Sequence, residues 1–355
     1  MKTILCASIL CLTAFVMAAA PAVEPEPKPA PEGEATSRAD RELAVILLTE
    51  QKTRPAIKAL RAEVDRAVQA WKQADALLHA KVIPPGFERP TPGEVERLLQ
   101  ALREKRESLW KLYREHLALY EQFLSANPYH WEGYHKYAWF CADHQAPLKA
   151  AEAWRRTIEL NPGFAFPYNN LATLYNHLGR DMESVDLYFK AILLKGDEPE
   201  FHFNLANVLA MHRFDAAHKF GWSLPRLFGE CMEHYRAARD LDPESYEYAE
   251  AVATQYVMAE HFKVEDWADD AIKDWQFCLN VAQSKHQKAR IYMSLGRIYL
   301  REKNDPATAR QMLLKGQAFS DNPSIRTLLK EAEDRLSGKP RKAPSAPVGR
   351  EPATI

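Results

Sequence analysis

The chain has 355 residues, 46% of them hydrophobic and 27% charged, with a formal net charge of −1. That composition belongs to a folded chain with a sizeable core, and its neutrality gives no electrostatic reason to expect nucleic acid as a partner. The 13 glycines include no pair spaced G-x-G or G-x-x-x-x-G, and there is no H-E-x-x-H, G-x-S-x-G or C-x-x-C, so the common nucleotide, zinc-protease, hydrolase and dithiol fingerprints are missing.

The first element is an address. Lys2 is followed by an uncharged apolar run from Thr3 to Met17, and then by the small residues Ala18, Ala19, Ala20 and Ala22. This reads as a secretory signal over 1–22, cut after Ala22 because Pro21 is a poor residue immediately after a cut. The run is 15 residues long, whereas a membrane span needs ~20. Leu10 is too bulky ahead of Cys11 for a lipid-modified cysteine. The mature chain would carry 46 basic and 48 acidic residues, a formal charge of −2. Export to a bacterial periplasm, or secretion, is the expected destination.

Proline divides the rest of the chain. Residues 23–40 form a linker in which Pro alternates with Glu, Lys and Ala and too little apolar surface exists to fold. From Arg41 the pattern is helical: Ile57, Leu60, Val64, Ala67, Trp71, Ala74 and Leu78 recur at 3-4 spacing. Pro84, Pro85, Gly86 and Pro90 break it, and Thr91-Pro92 followed by Glu94 reads as a new helix start, Thr as cap and Pro in the first turn. Val95, Leu98, Leu102, Leu109, Leu112, His116, Leu119 and Phe123 continue that helix. The spacing predicts a long antiparallel helical hairpin over 41–126, with Lys105 an intruder on its seam.

From Asn127 the chain repeats. The step from Asn127-Pro128 to Asn161-Pro162 is taken again from Pro162 to Gly196, and Asp242-Pro243 and Asn322-Pro323 return the same turn chemistry. Aligned on these turns, Tyr134, Tyr137 and Ala138 correspond to Tyr168, Leu171 and Ala172, to His202, Leu205 and Ala206, and to Tyr292, Leu295 and Gly296. Second helices align as Ala150, Trp154, Thr157 with Ser184, Tyr188, Ala191, then Cys231, Tyr235, Ala238 and Ala271, Trp275, Cys278. Over 131–323 this resembles the tetratricopeptide repeat family, whose period is about 34 residues.

The resemblance implies an all-α solenoid, a right-handed superhelix of stacked helix pairs. About five repeats are expected, at 131–162, 165–196, 199–243, 246–287 and 289–323, with a capping helix over 324–336 and a tail over 337–355. Two units run long, by 13 and 12 residues, and the surplus falls between His212 and Glu230 and between Glu260 and Ala271. Cys141, Cys231 and Cys278 occupy packing positions and are expected to be core thiols rather than reactive ones.

The histidines show no ligand spacing and no acidic or thiol partners, and no nucleophile stands beside a base, so neither a metal, a cofactor nor an enzyme activity is expected. The resemblance implies instead that the first helices of the repeats line a concave groove. Lys136, Asn170 and Asn204 recur there one repeat apart, with Thr173 and Asn207 one turn along and Phe166 and Phe203 beside them. Amide side chains that face solvent and both donate and accept could grip an extended peptide backbone. A second surface is the insertion at 213–229, too apolar for a solvated loop: Phe214, Phe220, Trp222 and Phe228 either pack on their own repeat or form a partner patch. The expected function is non-catalytic protein binding, as an adaptor or assembly scaffold in the cell envelope. The rivals are a chaperone-like carrier of exported polypeptides and a substrate-positioning subunit of an enzyme complex.

Overall fold

In a computed structural model the described residues are 37–338, apart from Lys81, Pro85 and Gln145. The expected signal over 1–22, the expected linker up to Thr36 and the expected tail from Lys339 lie outside them. The described residues form fourteen α-helices and one 3₁₀ segment with no strand, an all-α chain that opens with a helical hairpin and continues as helix pairs. The chain divides into two compact units, Met1–Leu174 and Tyr175–Ile355.

The first unit opens with the hairpin, α1 (Arg38–His79) and α2 (Pro92–Ala126). The linker is shorter than the sequence predicts: Ser37 accepts from the Asp40 N–H while Asp40 accepts from the Ser37 N–H, a capping box that starts α1 at Arg38. Thr91 caps α2 with Glu94 as its reciprocal partner, as its sequence reads. Pro55 lies inside α1, against the tendency of proline to end helices.

The hairpin seam is only partly apolar. Leu43, Ile46 and Ile57 of α1 and Leu102, Tyr113, Tyr120 and Phe123 of α2 are buried. Polar pairs fill the rest: the Tyr120 hydroxyl donates to Glu50 at 2.9 Å, Thr53 Oγ1 lies 2.8 Å from His116 Nε2, and Arg61 donates to the Tyr113 hydroxyl at 2.7 Å. As the number on α1 rises that on α2 falls, which is the antiparallel register. Lys105 is answered across the seam by Glu63 at 2.6 Å, so it is a partner there rather than an intruder.

Helices α3 (Trp131–Asp143) and α4 (Pro147–Leu160) follow, then α5 (Phe166–His177), within which the first unit ends. Ala138, Ala150 and Thr157 are fully buried and keep the helix axes close, while Trp154 fills the gap with its edge toward Trp139. His144, at the end of α3, is wedged between Phe140 and Tyr113 with ring centroids 4.1 and 4.0 Å away. Burial holds its imidazolium form down to about 4.

That burial has a pH consequence. In the unfolded chain His144 takes up a proton near its ordinary value of 6.5, whereas folded it resists until about 4. Stability is therefore full above pH 6.5 and is lost as the pH falls from there, up to about 3 kcal/mol from this one group. Denaturation midpoints of the His144→Phe variant should fall less steeply with acid than those of the parent; equal slopes would contradict the assignment.

The second unit takes up α6 (Asp181–Leu194), α7 (Pro199–Met211), α8 (Arg213–Phe220), α9 (Leu224–Leu241) and α10 (Tyr246–Gln255). The 3₁₀ segment Tyr256–Phe262, α11 (Ala268–Val281), α12 (Lys285–Arg301), α13 (Pro306–Phe319) and α14 (Pro323–Leu336) complete it. The helix-crossing positions are closed: Ala206, Ala238, Ala271 and Cys278 have no exposed surface, and Tyr188, Leu205 and Leu295 are buried among them. Each such Leu contributes about 1.5–3 kcal/mol relative to an exposed one. On α14, Ile325, Leu328, Leu329 and Ala332 cover Leu300 and Leu313, and Arg335 donates to the Leu300 carbonyl at 2.6 Å.

The three cysteines of the repeats are free and buried. Burial pushes the thiols up, Cys141 to about 11 and Cys231 and Cys278 to about 12, so almost no nucleophilic thiolate exists at neutral pH.

Candidate functional site

The seven residues of the expected groove do not share one environment. In the first unit, Asn170 is buried, with 4% of its surface exposed, and its carbonyl oxygen lies 3.4 Å from the Asn169 amide. The sequence reading that it faces solvent is therefore wrong. The repeat period fixes the direction in which a side chain leaves its helix, but not whether a neighbour covers it. Thr173 turns its hydroxyl back to the Asn169 carbonyl at 3.0 Å, an ordinary helix-internal bond. Lys136 is half-buried on α3. Phe166 packs at 5.5 Å on Phe164, whose ring in turn meets Trp131 at 4.8 Å and His135 at 4.9 Å. Trp139 donates its indole N–H to His135 Nε2 at 3.2 Å.

In the second unit, Asn207 is committed to structure: its carbonyl accepts from the Tyr235 hydroxyl at 2.7 Å. Asn204, one helical turn earlier on α7, is half-buried and donates to Glu200 at 3.3 Å. Phe203 meets Tyr248 of α10 edge-on at 5.3 Å and Tyr235 at 6.1 Å. Phe203 and Tyr248 both remain partly open to solvent. Burial first, and then the carboxylates of Glu200, Glu247, Asp242 and Glu198, raise the Tyr248 hydroxyl to about 12, so it stays a neutral donor. An aromatic pair set among four carboxylates is chemically suited to an aliphatic stem that ends in a cation.

Tyr248 was not visible as a site residue because it comes from the following repeat. Its offset from Phe203 is set by the surplus after His212 rather than by the repeat period. The only available signal was its place in the first turns of a first helix.

The insertion resolves in favour of packing for most of its aromatics. It folds as α8 and the start of α9, with Ser223 accepting from the Arg226 N–H to cap the latter and Gly221, at φ +63°, ending the former. Phe228 is buried against Phe262 at 5.4 Å and Tyr256 at 6.1 Å, so it cannot belong to a partner patch. Phe220 stacks on Trp222 at 4.6 Å and meets Phe189 of α6 at 5.9 Å. Lys219 fastens the same helix to Asp186 at 2.7 Å. Phe214 alone is well exposed, at 64%.

Among the described residues no group of three or more His, Cys, Asp or Glu side chains is arranged to hold a metal ion, and no helix is long and apolar enough to cross a membrane.

No curated protein matches the chain. Among solved structures, YrrB, described as a TPR protein with an unusual peptide-binding site, aligns at 16% identity over 60% of this chain and 97% of its own, with a TM-score of 0.47. The C-terminal part of a TPR repeat-containing protein from Cytophaga hutchinsonii aligns at 11% identity over 77% and 99%, with a TM-score of 0.49. The Pseudomonas aeruginosa pilF structure aligns at 14% over 78% and 100%, with a TM-score of 0.42. The family model described as tetratricopeptide repeat matches residues 153–186. Those residues carry the same crossing positions, Trp154, Thr157, Ala172 and Ser184, that recur closed and buried in the later helix pairs. Residues 153–186 are thus similar to one tetratricopeptide repeat, set in an all-α chain of helix pairs.

Proposed function

We propose that this chain binds an extended, basic peptide segment along the first-helix face of its third and fourth repeats, acting as an adaptor or scaffold in the cell envelope. The observation that carries the reading is the Phe203–Tyr248 pair, 5.3 Å apart and partly exposed, with Asn204 beside it and Glu198, Glu200, Asp242 and Glu247 acting on Tyr248. The carboxylates favour a Lys or Arg head group, the rings take its aliphatic stem, and the Asn204 amide can exchange its bond to Glu200 for one to the ligand's backbone. The envelope location rests on the Thr3–Met17 run and the small residues after it.

The test is a display library of random peptides panned on the mature chain. Enriched sequences should carry Lys or Arg beside an apolar residue. Asn204→Ala should weaken a selected peptide by about tenfold or less, the worth of one hydrogen bond. Phe203→Ser should weaken it further. Selected peptides that bind both variants as well as the parent would refute this surface as the site.

A further inference from the structure

We infer that His202 and His234 form an acid-sensitive latch that joins α7 to α9 and, through Phe189, holds the inserted helix α8 in place. The two Nδ1 atoms are 2.9 Å apart, and His202 Nε2 lies 3.1 Å from the Gly196 carbonyl. A carbonyl only accepts, so the hydrogen of neutral His202 sits on Nε2 and its Nδ1 is the acceptor. His234 then carries its hydrogen on Nδ1 and donates it. Neutral, the pair has a single self-consistent arrangement.

His202 holds the position that Tyr134 and Tyr168 hold in the preceding repeats, so this repeat has a titratable ring where its neighbours have a phenol. Behind the pair, the His234 ring lies 6.1 Å from Phe189, Phe189 meets Phe220 at 5.9 Å, and Phe220 stacks on Trp222. The latch therefore backs the contact that seats the C-terminal end of α8.

Protons undo this arrangement in a defined order. A first proton can be shared, with His202 donating from Nδ1 if His234 moves its own hydrogen to Nε2. A second proton puts a hydrogen on both Nδ1 atoms at 2.9 Å, and two like charges face each other where a bond had been. Several charged groups on the packed elements have other partners, while Lys190 on α6 and Glu233 on α9 are exposed to water. Lys219 is taken by Asp186 on α6, and Lys195 by Asp197 and Glu198 ahead of α7. On α9, Arg236 turns to Tyr256 and Asp274, and Glu230 lies 3.9 Å from Arg226. Burial, then the charge of His202, hold His234 unprotonated down to about 4. An opened His234 takes its proton near the ordinary 6.5, so the closed state loses ground as pH falls below that value. At the other end of α8, His212 lies 3.2 Å from Asp181, a contact outside the latch.

Hydrogen exchange read by mass spectrometry on the full mature chain tests this, with labelling times scaled to the intrinsic rate at each pH. Between about pH 7 and about pH 4.5, amides of 213–222 should lose protection by roughly tenfold or more, while those of 285–336 keep theirs. His202→Asn places a carboxamide oxygen where Nδ1 stood, which accepts from His234 in either charge state, so its 213–222 protection should not fall with acid. His234→Phe, which cannot titrate and packs on Phe189, should behave the same way. Unchanged protection in the parent, loss spread evenly over 175–338, or an equal loss in either variant would each overturn the latch.

Discussion

Replacing Asp274 by Ala should cost the second unit about 3–5 kcal/mol, the loss expected when one member of a buried ionic network is removed. Its carboxylate accepts from Arg239 at 2.8 Å and from the Tyr256 hydroxyl at 2.8 Å, with Arg236 at 3.5 Å, and only 9% of the residue is exposed. Three elements meet at this one side chain: α9 through the arginines, the 3₁₀ segment through Tyr256, and α11 through Asp274 itself. Truncation leaves the Arg239 side chain, only 15% of it exposed, without its buried counter-ion. The measurement is the urea midpoint of the second unit's transition. A shift worth less than about 1 kcal/mol would mean that water replaces the carboxylate at little cost.

Gly296→Val should be the second large effect, about 3 kcal/mol or more. A Cβ at Gly296 would stand 2.5 Å from Leu313 Cγ and 2.7 Å from its Cδ2, and Leu313 is wholly buried. Cγ is the branch point of the side chain, so it cannot swing away as a flexible end would. Overpacking of this kind typically costs about 1–3 kcal/mol, and valine adds two further methyl groups. Gly296→Ala is the informative control, because the better helix propensity of alanine returns up to about 1 kcal/mol. Combining Gly296→Ala with Leu313→Ala should cost less than the two changes added separately, since each relieves the other. Additive losses would show that the clash is absorbed elsewhere.

The helical class, the spacing of the helix pairs and the hairpin were legible because they are periodic. The Thr91-Pro92 start with Glu94 states its own chemistry within a single turn, and the small residues at 138, 172 and 206 recur at the interval the stack demands. The candidate site was legible only in part. Asn170 and Asn204 hold the same register position, yet one is buried and the other is half-open, because burial depends on what lies across from them. Phe228 and Phe214 read alike as apolar residues in an insertion, and only the 3₁₀ segment supplying Phe262 and Tyr256 separates them. The Asp274 network left no trace in the sequence, since Arg236, Arg239, Tyr256 and Asp274 follow no common interval.

A stack of helix pairs is in principle an open-ended polymer: every added pair presents the face on which the next could grow. Helix α14 closes the apolar face of the last described pair. The inner side is spent on Leu300 and Leu313, while Arg326, Thr327, Lys330 and Glu333 occupy positions open to water. A further pair arriving there would have to strip solvent from charges and would find no apolar ridge to mesh with. One short helix thus spends its apolar side on the pair before it and turns charge toward water, so this face offers a neighbouring helix no apolar surface to join.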